Sequence, residues 1–138
     1  MNLQGFSFGF RPPPVYGVRR DVVRLQELVR TAREGSPLGI ALLRLEADRL
    51  QIVSESAAHD FVRLDSEVRY RDLRTKLERR VRVVDPGNTQ VDSNDVSVLS
   101  PIGAALIGLS QRAIFRWPDM DGRTRAIKVL ELQHACCA

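Results

Sequence analysis

The sequence predicts an α+β fold: a short N-terminal antiparallel helical hairpin, then an antiparallel sheet carrying one embedded helix. Three observations predict it. Apolar residues recur at spacings of three and four from Arg20 to Ile52, they alternate with period two from Glu67 onward, and turn signals punctuate both halves. The length of 138 residues suits one ordinary domain with a modest core. A hydrophobic fraction of 43% with 28% charged residues excludes a disordered chain.

Residues 1–15, "MNLQGFSFGFRPPPV", interleave Gly with Phe and then carry Pro12, Pro13 and Pro14. Prolines favour an extended segment without ladder donors, so this reads as a flexible Pro-rich arm whose Phe6, Phe8 and Phe10 are free to dock on a neighbour.

Residues 16–56 read as the hairpin, coiled-coil-like and short. Val22, Leu25, Val29 and Ala32 form one stripe with Leu28 beside it, and Gly35 ends the first helix. Ser36 as N-cap and Pro37 at the first helical position begin a second helix. It presents Leu38, Ala41, Leu42, Leu45 and Leu50 to the first and continues to about Ile52.

Residues 57–134 read as a second unit. "EVRYRDL" alternates Val68 and Tyr70 with Arg69 and Arg71, and "RRVRVVD" alternates Val81 and Val83 with Arg80 and Arg82, giving two strands with one core face and one wet face. "RTKLE" is the hairpin loop between them, and "DPGN" at 85–88 is a turn. "VSVLSPIGAALIGLS" follows, from Val96 to Ser110, without a single charge. Its "VSVL" suits a short strand, and Ser100-Pro101 repeats the cap-then-proline helix start. The helix runs to about Ile107 and stops at Gly108, with Ile102, Ala105 and Leu106 inward. "RAIFRW" and "RTRAIKVLEL" are strands split by the turn "PDMDG". Residues 135–138 are a tail, and no internal repeat is visible.

No stretch approaches the roughly 18 apolar residues of a membrane span, and the N-terminus has no secretory pattern, so a cytoplasmic location and no membrane contact are expected. The net charge of +4 is carried by arginine almost alone, Lys76 and Lys128 being the only lysines. A GC-rich coding sequence explains that bias as readily as function does. Cys136 and Cys137 are adjacent and cannot staple distant segments. With His134 they fit no zinc spacing and lack a fourth ligand, so no metal and no cofactor are expected.

The run "VSVLSPIGAALIGLSQRAIFRWPDMDGRTRAIKVLEL" resembles the C-terminal domain of the bacterial transcript-cleavage factors GreA and GreB. There too, a strand enters Ser-Pro, a short helix ends in Ala-Leu-Ile-Gly, and two strands flank a Gly turn. The version "LSPIGAALIGL" is closer to the Rnk type, called regulators of nucleoside diphosphate kinase. The resemblance covers about 60–132 well and the hairpin by position only.

What the resemblance implies is an FKBP-like domain that binds RNA polymerase beside its secondary channel. The docking loop would be Leu99, Ser100, Pro101 and Ile102, with Trp117 and Met120 adding apolar contact. Gre factors usually carry Asp or Asn where Leu99 stands, which implies a more apolar contact here. The hairpin tip, Arg33, Glu34, Gly35, Ser36, Pro37 and Leu38, would enter the channel.

Cleavage stimulation is not expected. Gre factors deliver acidic side chains to a catalytic magnesium from a tip motif Asp-Leu-x-x-Asn-x-Glu-Tyr, and hard cations need such oxygen ligands. The turn "TAREGSPLGI" has Glu34 as its only acid. At a rise of about 1.5 Å per residue, the arm from Asp21 to Glu34 is only about 20 Å long. The resemblance therefore implies a non-catalytic regulator that competes with Gre-type factors for one site.

Two other classes stand beside it. Arg69, Arg71, Arg80 and Arg82 form a stripe able to contact DNA or RNA phosphates, although Glu67, Asp72, Glu78 and Asp85 share those elements and no aromatics interleave. As an enzyme the chain offers only His59 and His134, in no triad, dyad or metal motif, so no catalytic residue is assigned. Prolyl isomerase activity would need an aromatic-lined pocket, and Tyr70, Phe115 and Trp117 read as ordinary core or rim residues. The oligomeric state is left open.

Overall fold

The structure is a computed structural model and describes residues 12–33, 35–57, 60–90 and 93–134. Strand β1 (Tyr16–Val18) leads directly into helix α1 (Arg19–Thr31), a turn follows, and helix α2 (Pro37–Arg49) runs into strand β2 (Gln51–Val53). The second half contains β3 (Glu67–Asp72), β4 (Glu78–Val84), β5 (Asp95–Ser97), helix α3 (Pro101–Leu106), β6 (Ile114–Pro118) and β7 (Thr124–Gln133). The result is a mixed α+β fold with a largely antiparallel five-stranded sheet in the order β5-β4-β3-β7-β6.

The period-two pattern is realised as read. In β3 Val68 and Tyr70 are buried while Arg69 and Arg71 are partly exposed, and in β4 Val81 and Val83 are buried. One pairing departs from the antiparallel expectation: β5 lies parallel to β4, with Val84 opposite Ser97. Residues 85–94 carry the chain back to the start of β5, since a parallel pair cannot be joined by a tight hairpin turn. A register shift between Arg69 and Tyr70 leaves Leu130 of β7 as an extra residue, a bulge that bends β7 against β3.

The hairpin differs more. Helix α1 ends at Thr31 rather than at Gly35, and α2 ends at Arg49 because Gln51–Val53 pair in parallel with Tyr16–Val18. Strands β1 and β2 thus close the base of the hairpin, an element that the helical spacing conceals. Val15, placed at the end of the arm by composition, is fully buried and bridges Leu109. Phe6, Phe8, Phe10, His59, Cys136 and Cys137 lie outside the described residues.

The hairpin does not project as an independent coiled coil. Leu25, Leu28, Leu38, Leu42 and Leu43 share one apolar cluster with Val68, Tyr70, Val81, Leu106, Phe115 and Trp117. Helix α2 is apolar on most of its surface, because one side faces α1 and another faces α3. Two polar ties reinforce the docking of α1. Asp21 accepts a hydrogen bond from the Leu64 backbone N–H at 3.1 Å, and the Arg24 guanidinium grips both carboxylate oxygens of Asp85 in the "DPGN" turn.

Candidate interaction surface

Helix α3 begins as the sequence signals. Ser100 Oγ accepts a hydrogen bond from the Gly103 N–H at 3.1 Å and donates to the Ser97 carbonyl at 2.7 Å, while Pro101 occupies the first turn where its missing N–H costs nothing. The Leu99 N–H donates to Ser97 Oγ at 3.0 Å. The loop is thereby tied at three points and held in one shape.

Its exposure is not what the apolar reading implies. Leu99 is buried at 5% exposure and belongs to the core cluster, so it is unavailable as a surface contact. Ser100, Pro101 and Ile102 are half-buried and form the accessible part of the loop. Trp117 is fully buried, 5.8 Å from the Phe115 ring centroid and 5.3 Å beneath the Arg125 guanidinium. It is a core residue, because Phe115 and Trp117 stand two apart on one strand and face the same way. Met120 is exposed at 65%, but on the β6–β7 turn. The registers put that turn beyond the Asp72 and Glu78 end of the sheet, whereas Ser97 pairs at the Val84 end. Met120 and the Ser-Pro loop therefore lie toward opposite ends and do not form one patch.

The hairpin turn, in contrast, lies against the loop. A Cβ built on Gly39 would stand 2.0 Å from the Leu99 carbonyl oxygen, and one on Gly35 would stand 3.2 Å from Leu99 Cβ. Of the expected tip residues, Arg33, Gly35 and Pro37 are exposed and Ser36 is half-buried, its Oγ accepting from the Gly39 N–H at 3.3 Å. Leu38 is buried at 2% exposure and cannot act as a channel contact, since helical spacing aligns it with Leu42 toward the core. Glu34 lies outside the described residues.

The repeated helix start extends beyond the cap and the proline to the glycine. "SPLG" at 36–39 and "SPIG" at 100–103 open α2 and α3 with the same four residue types, and each serine caps the glycine N–H three residues on. Each glycine also lies on backbone: Gly103 meets the Ser97 carbonyl as closely as Gly39 meets that of Leu99. The recurrence of Ser-Pro-aliphatic-Gly was the available signal.

The arginine stripe is neutralised from within. Arg69 donates to Glu78 at 2.6 Å and to Glu131 at 2.8 Å, Arg71 also pairs with Glu78, and Arg82 grips both oxygens of Asp95. These arginines hold the carboxyls of Glu78, Glu131 and Asp95 below their ordinary range, the hydrogen bond to arginine being the largest cause in each. Arg80 stays exposed beside them. Such a face offers phosphates little unbalanced charge.

A serine–histidine contact among the described residues is closed off from solvent. Ser66 Oγ and His134 Nδ1 are 2.9 Å apart, yet Ser66 is fully buried and holds the Arg63 N–H, so no substrate reaches it. Asp21 and Glu46 are buried carboxyls whose pKa values are raised by burial. Each is tied to local structure, Asp21 to Leu64 and Glu46 to Arg49 at 2.8 Å. Among the described residues no group of three or more His, Cys, Asp or Glu side chains is placed to hold a metal. No helix among them is long and apolar enough to cross a membrane.

Comparison with known proteins bears on the same segment. Residues 57–134 match the family model "Transcription elongation factor, GreA/GreB, C-term". The chain is 38% identical over 109 residues to the regulator of nucleoside diphosphate kinase of Escherichia coli K12, covering 78% of this chain and 79% of that one. The Shigella flexneri protein of the same name gives the same figures. Among solved structures, the prokaryotic transcription elongation factor GreA/GreB from Nitrosomonas europaea superposes with a TM-score of 0.67 at 27% identity, covering 88% of this chain and 99% of that one.

Proposed function

Since the chain belongs to the GreA/GreB family and is similar over most of its length to regulators of nucleoside diphosphate kinase, we propose that it is a non-catalytic, transcription-associated regulator that binds RNA polymerase beside the secondary channel. There it competes with Gre-type cleavage factors and does not stimulate cleavage itself. On this reading the sheet and α3 serve as the docking unit, with an FKBP-like arrangement and a cytoplasmic location as parts of the same proposal.

The observation that carries it is the Ser100-Pro101 corner. The loop is fixed from within by Ser97, Ser100 and Gly103 while Pro101 and Ile102 remain reachable, so a partner meets a preorganised edge. The hairpin supports the non-catalytic part. Its helices have 13 residues each, about 20 Å in length, and its turn is held against the loop rather than extended. The sequence of that turn supplies one carboxylate and lacks the acidic tip motif through which Gre factors reach the catalytic magnesium.

The test is retention on immobilised core RNA polymerase, comparing the natural chain with Pro101→Glu, together with a transcript-cleavage assay driven by a Gre factor. Retention of the natural chain, loss in Pro101→Glu, and inhibition of Gre-driven cleavage are expected. No retention of the natural chain would overturn the polymerase reading.

A further inference from the structure

The end of the sheet away from the Ser-Pro corner carries the surplus charge of the chain. Residues 71–79 and 116–128, which close the β3–β4 and β6–β7 hairpins, hold eight basic and four acidic residues, a net of +4 that equals the net charge of the full sequence. We propose that this end is a second docking surface, built on Leu77 and Met120 and rimmed by Lys76 and Arg79, and that it takes an acidic protein segment with apolar side chains among its carboxylates. The proposal stands independently of the polymerase reading, which rests on the opposite end.

The two turns lie side by side. Strands β3 and β7 are neighbours in the sheet, Asp72 lies opposite Ile127, and the Leu73 N–H donates to the Ala126 carbonyl at 2.9 Å. Arg74 of one turn pairs with Asp119 of the other at 4.0 Å. Met120 follows Asp119 directly, and Leu77 and Met120 are each 65% exposed, more than any other large apolar side chain among the described residues. Both turns are pinned by their own hydrogen bonds. Asp72 Oδ1 accepts from the Arg74 and Thr75 N–H groups, the Lys76 N–H donates to the Asp72 carbonyl, and the Asp72 N–H donates to that of Leu77. Lys76 is held at a φ of 66°, a left-handed conformation that the closed turn imposes on it. In the second turn Gly122 supplies a φ of 82°, and the Met120 N–H donates to Asp119 Oδ1 at 2.6 Å. Leu77 and Met120 are thus presented on loops whose backbone a partner need not order.

Charge selects the occupant. Each of the four acids is already paired with an arginine of the same end: Asp72 with Arg125, Glu78 with Arg71, Asp119 with Arg74 and Asp121 with Arg123. Lys76 and Arg79 are exposed and form no ion pair with a described acid, and the group beside Arg79 is the neutral Tyr70 hydroxyl. Glu34 and Asp92, acids outside the described residues, adjoin Gly35 and Ser93 in sequence. Gly35 lies against Leu99, and Ser93 Oγ accepts from the N–H of Asp95, which stands opposite Arg82, so both of those neighbours belong to the other end of the sheet. Nucleic acid fits this end less well than protein. Tyr70, Phe115 and Trp117, the aromatic residues of these strands, are buried and offer no base a stacking face, and phosphates have no use for Leu77 and Met120. A protein segment uses both features, since apolar contacts at the centre of an interface and opposite charge at its rim give affinity and register together.

The experiment is a titration of the full chain into three labelled probes: a peptide with leucines spaced among glutamates, the same peptide with serine for each glutamate, and a DNA duplex. The variants are Leu77→Ser with Met120→Ser, Lys76→Gln with Arg79→Gln, and Ile52→Thr as an exposed apolar control on β2. Thermal melts check that each variant folds. The acidic peptide is expected to bind and the serine peptide to bind far more weakly. Each double variant should weaken binding of the acidic peptide about tenfold or more, the scale of a modest interface anchor, with Ile52→Thr unchanged. Equal binding of the two peptides, or binding indifferent to Leu77 and Met120, would overturn the surface as drawn. If only the duplex binds, and does so less tightly after Lys76→Gln with Arg79→Gln, this end serves phosphates and the proposed occupant is wrong. If no probe binds, the docking surface falls and the polymerase reading is untouched.

Discussion

Gly39 of α2 lies on the carbonyl oxygen of Leu99, with 2.0 Å between that oxygen and the position a Cβ would take. An alanine there gains helix propensity of about 1 kcal/mol over glycine, but the obstacle is backbone that is itself hydrogen-bonded on both sides. Overpacking of this kind costs about 1–3 kcal/mol, so the clash wins. Gly39→Ala should lower the urea midpoint, whereas Gly87→Ala, whose added carbon meets nothing closer than 3.6 Å, should leave it nearly unchanged.

Trp117→Ala should cost about 3–5 kcal/mol in denaturant unfolding, the usual range for emptying an aromatic core site. The Trp117 ring is fully buried against Phe115 and under Arg125. Its emission in the natural chain should be that of a buried indole and should not respond to partner binding. An emission shift on adding polymerase would contradict the orientation described.

Asp85 reports acid lability. Arg24 holds its carboxyl below the ordinary value, chiefly through their hydrogen bond. A carboxyl lowered in the fold contributes stability above the unfolded pKa and loses it as pH falls through the folded one. Asp85→Asn should therefore unfold more easily than the natural chain at pH 7, and the two should converge below the ordinary carboxylate range. Urea midpoints across pH 2–7 check this.

Asp21 carries the opposite sign. Burial raises its pKa against the pull of the Leu64 N–H and Arg63, so its ionised form costs stability at neutral pH, and that cost is relieved as pH falls through the raised value. Asparagine keeps an oxygen for the Leu64 N–H. Asp21→Asn should be at least as stable as the natural chain at pH 7, with its advantage shrinking toward acid pH. A variant that is less stable at pH 7, with no pH trend, would refute this.

The balanced sheet face yields a gain-of-function test. Removing Glu78 and Glu131 as Gln frees Arg69 and Arg71 from their partners. Glu78→Gln with Glu131→Gln should elute from heparin at higher salt than the natural chain, because net phosphate affinity scales with uncompensated cations. Unchanged elution would mean that those ion pairs do not limit phosphate binding.

How much of this was legible in the sequence depended on the range of the contacts involved. Strands β3 and β4 and the start of α3 were readable because alternation and the Ser-Pro cap are local signals. The β1–β2 pair was not, since two three-residue strands are paired across a helical hairpin and neither has a periodicity of its own. The burial of Trp117 was present in its spacing from Phe115, but Leu99 has no such neighbour and its inward course depends on α2 arriving from elsewhere. Leu38 shows the conflict most plainly: helical spacing turned it inward, while its place in a turn suggested a tip.

The cluster that runs from Leu25 on α1 to Val129 on β7 also makes unfolding indivisible. Residues 57–134, cut out as the family model delimits them, would lose Leu25, Leu38, Leu42 and Leu43 and leave the underside of Leu99 and Leu106 open to water. In hydrogen exchange, amides of α2 and of the β3–β7 ladder should therefore open together, with a single free energy, as one foldon that spans both halves of the chain.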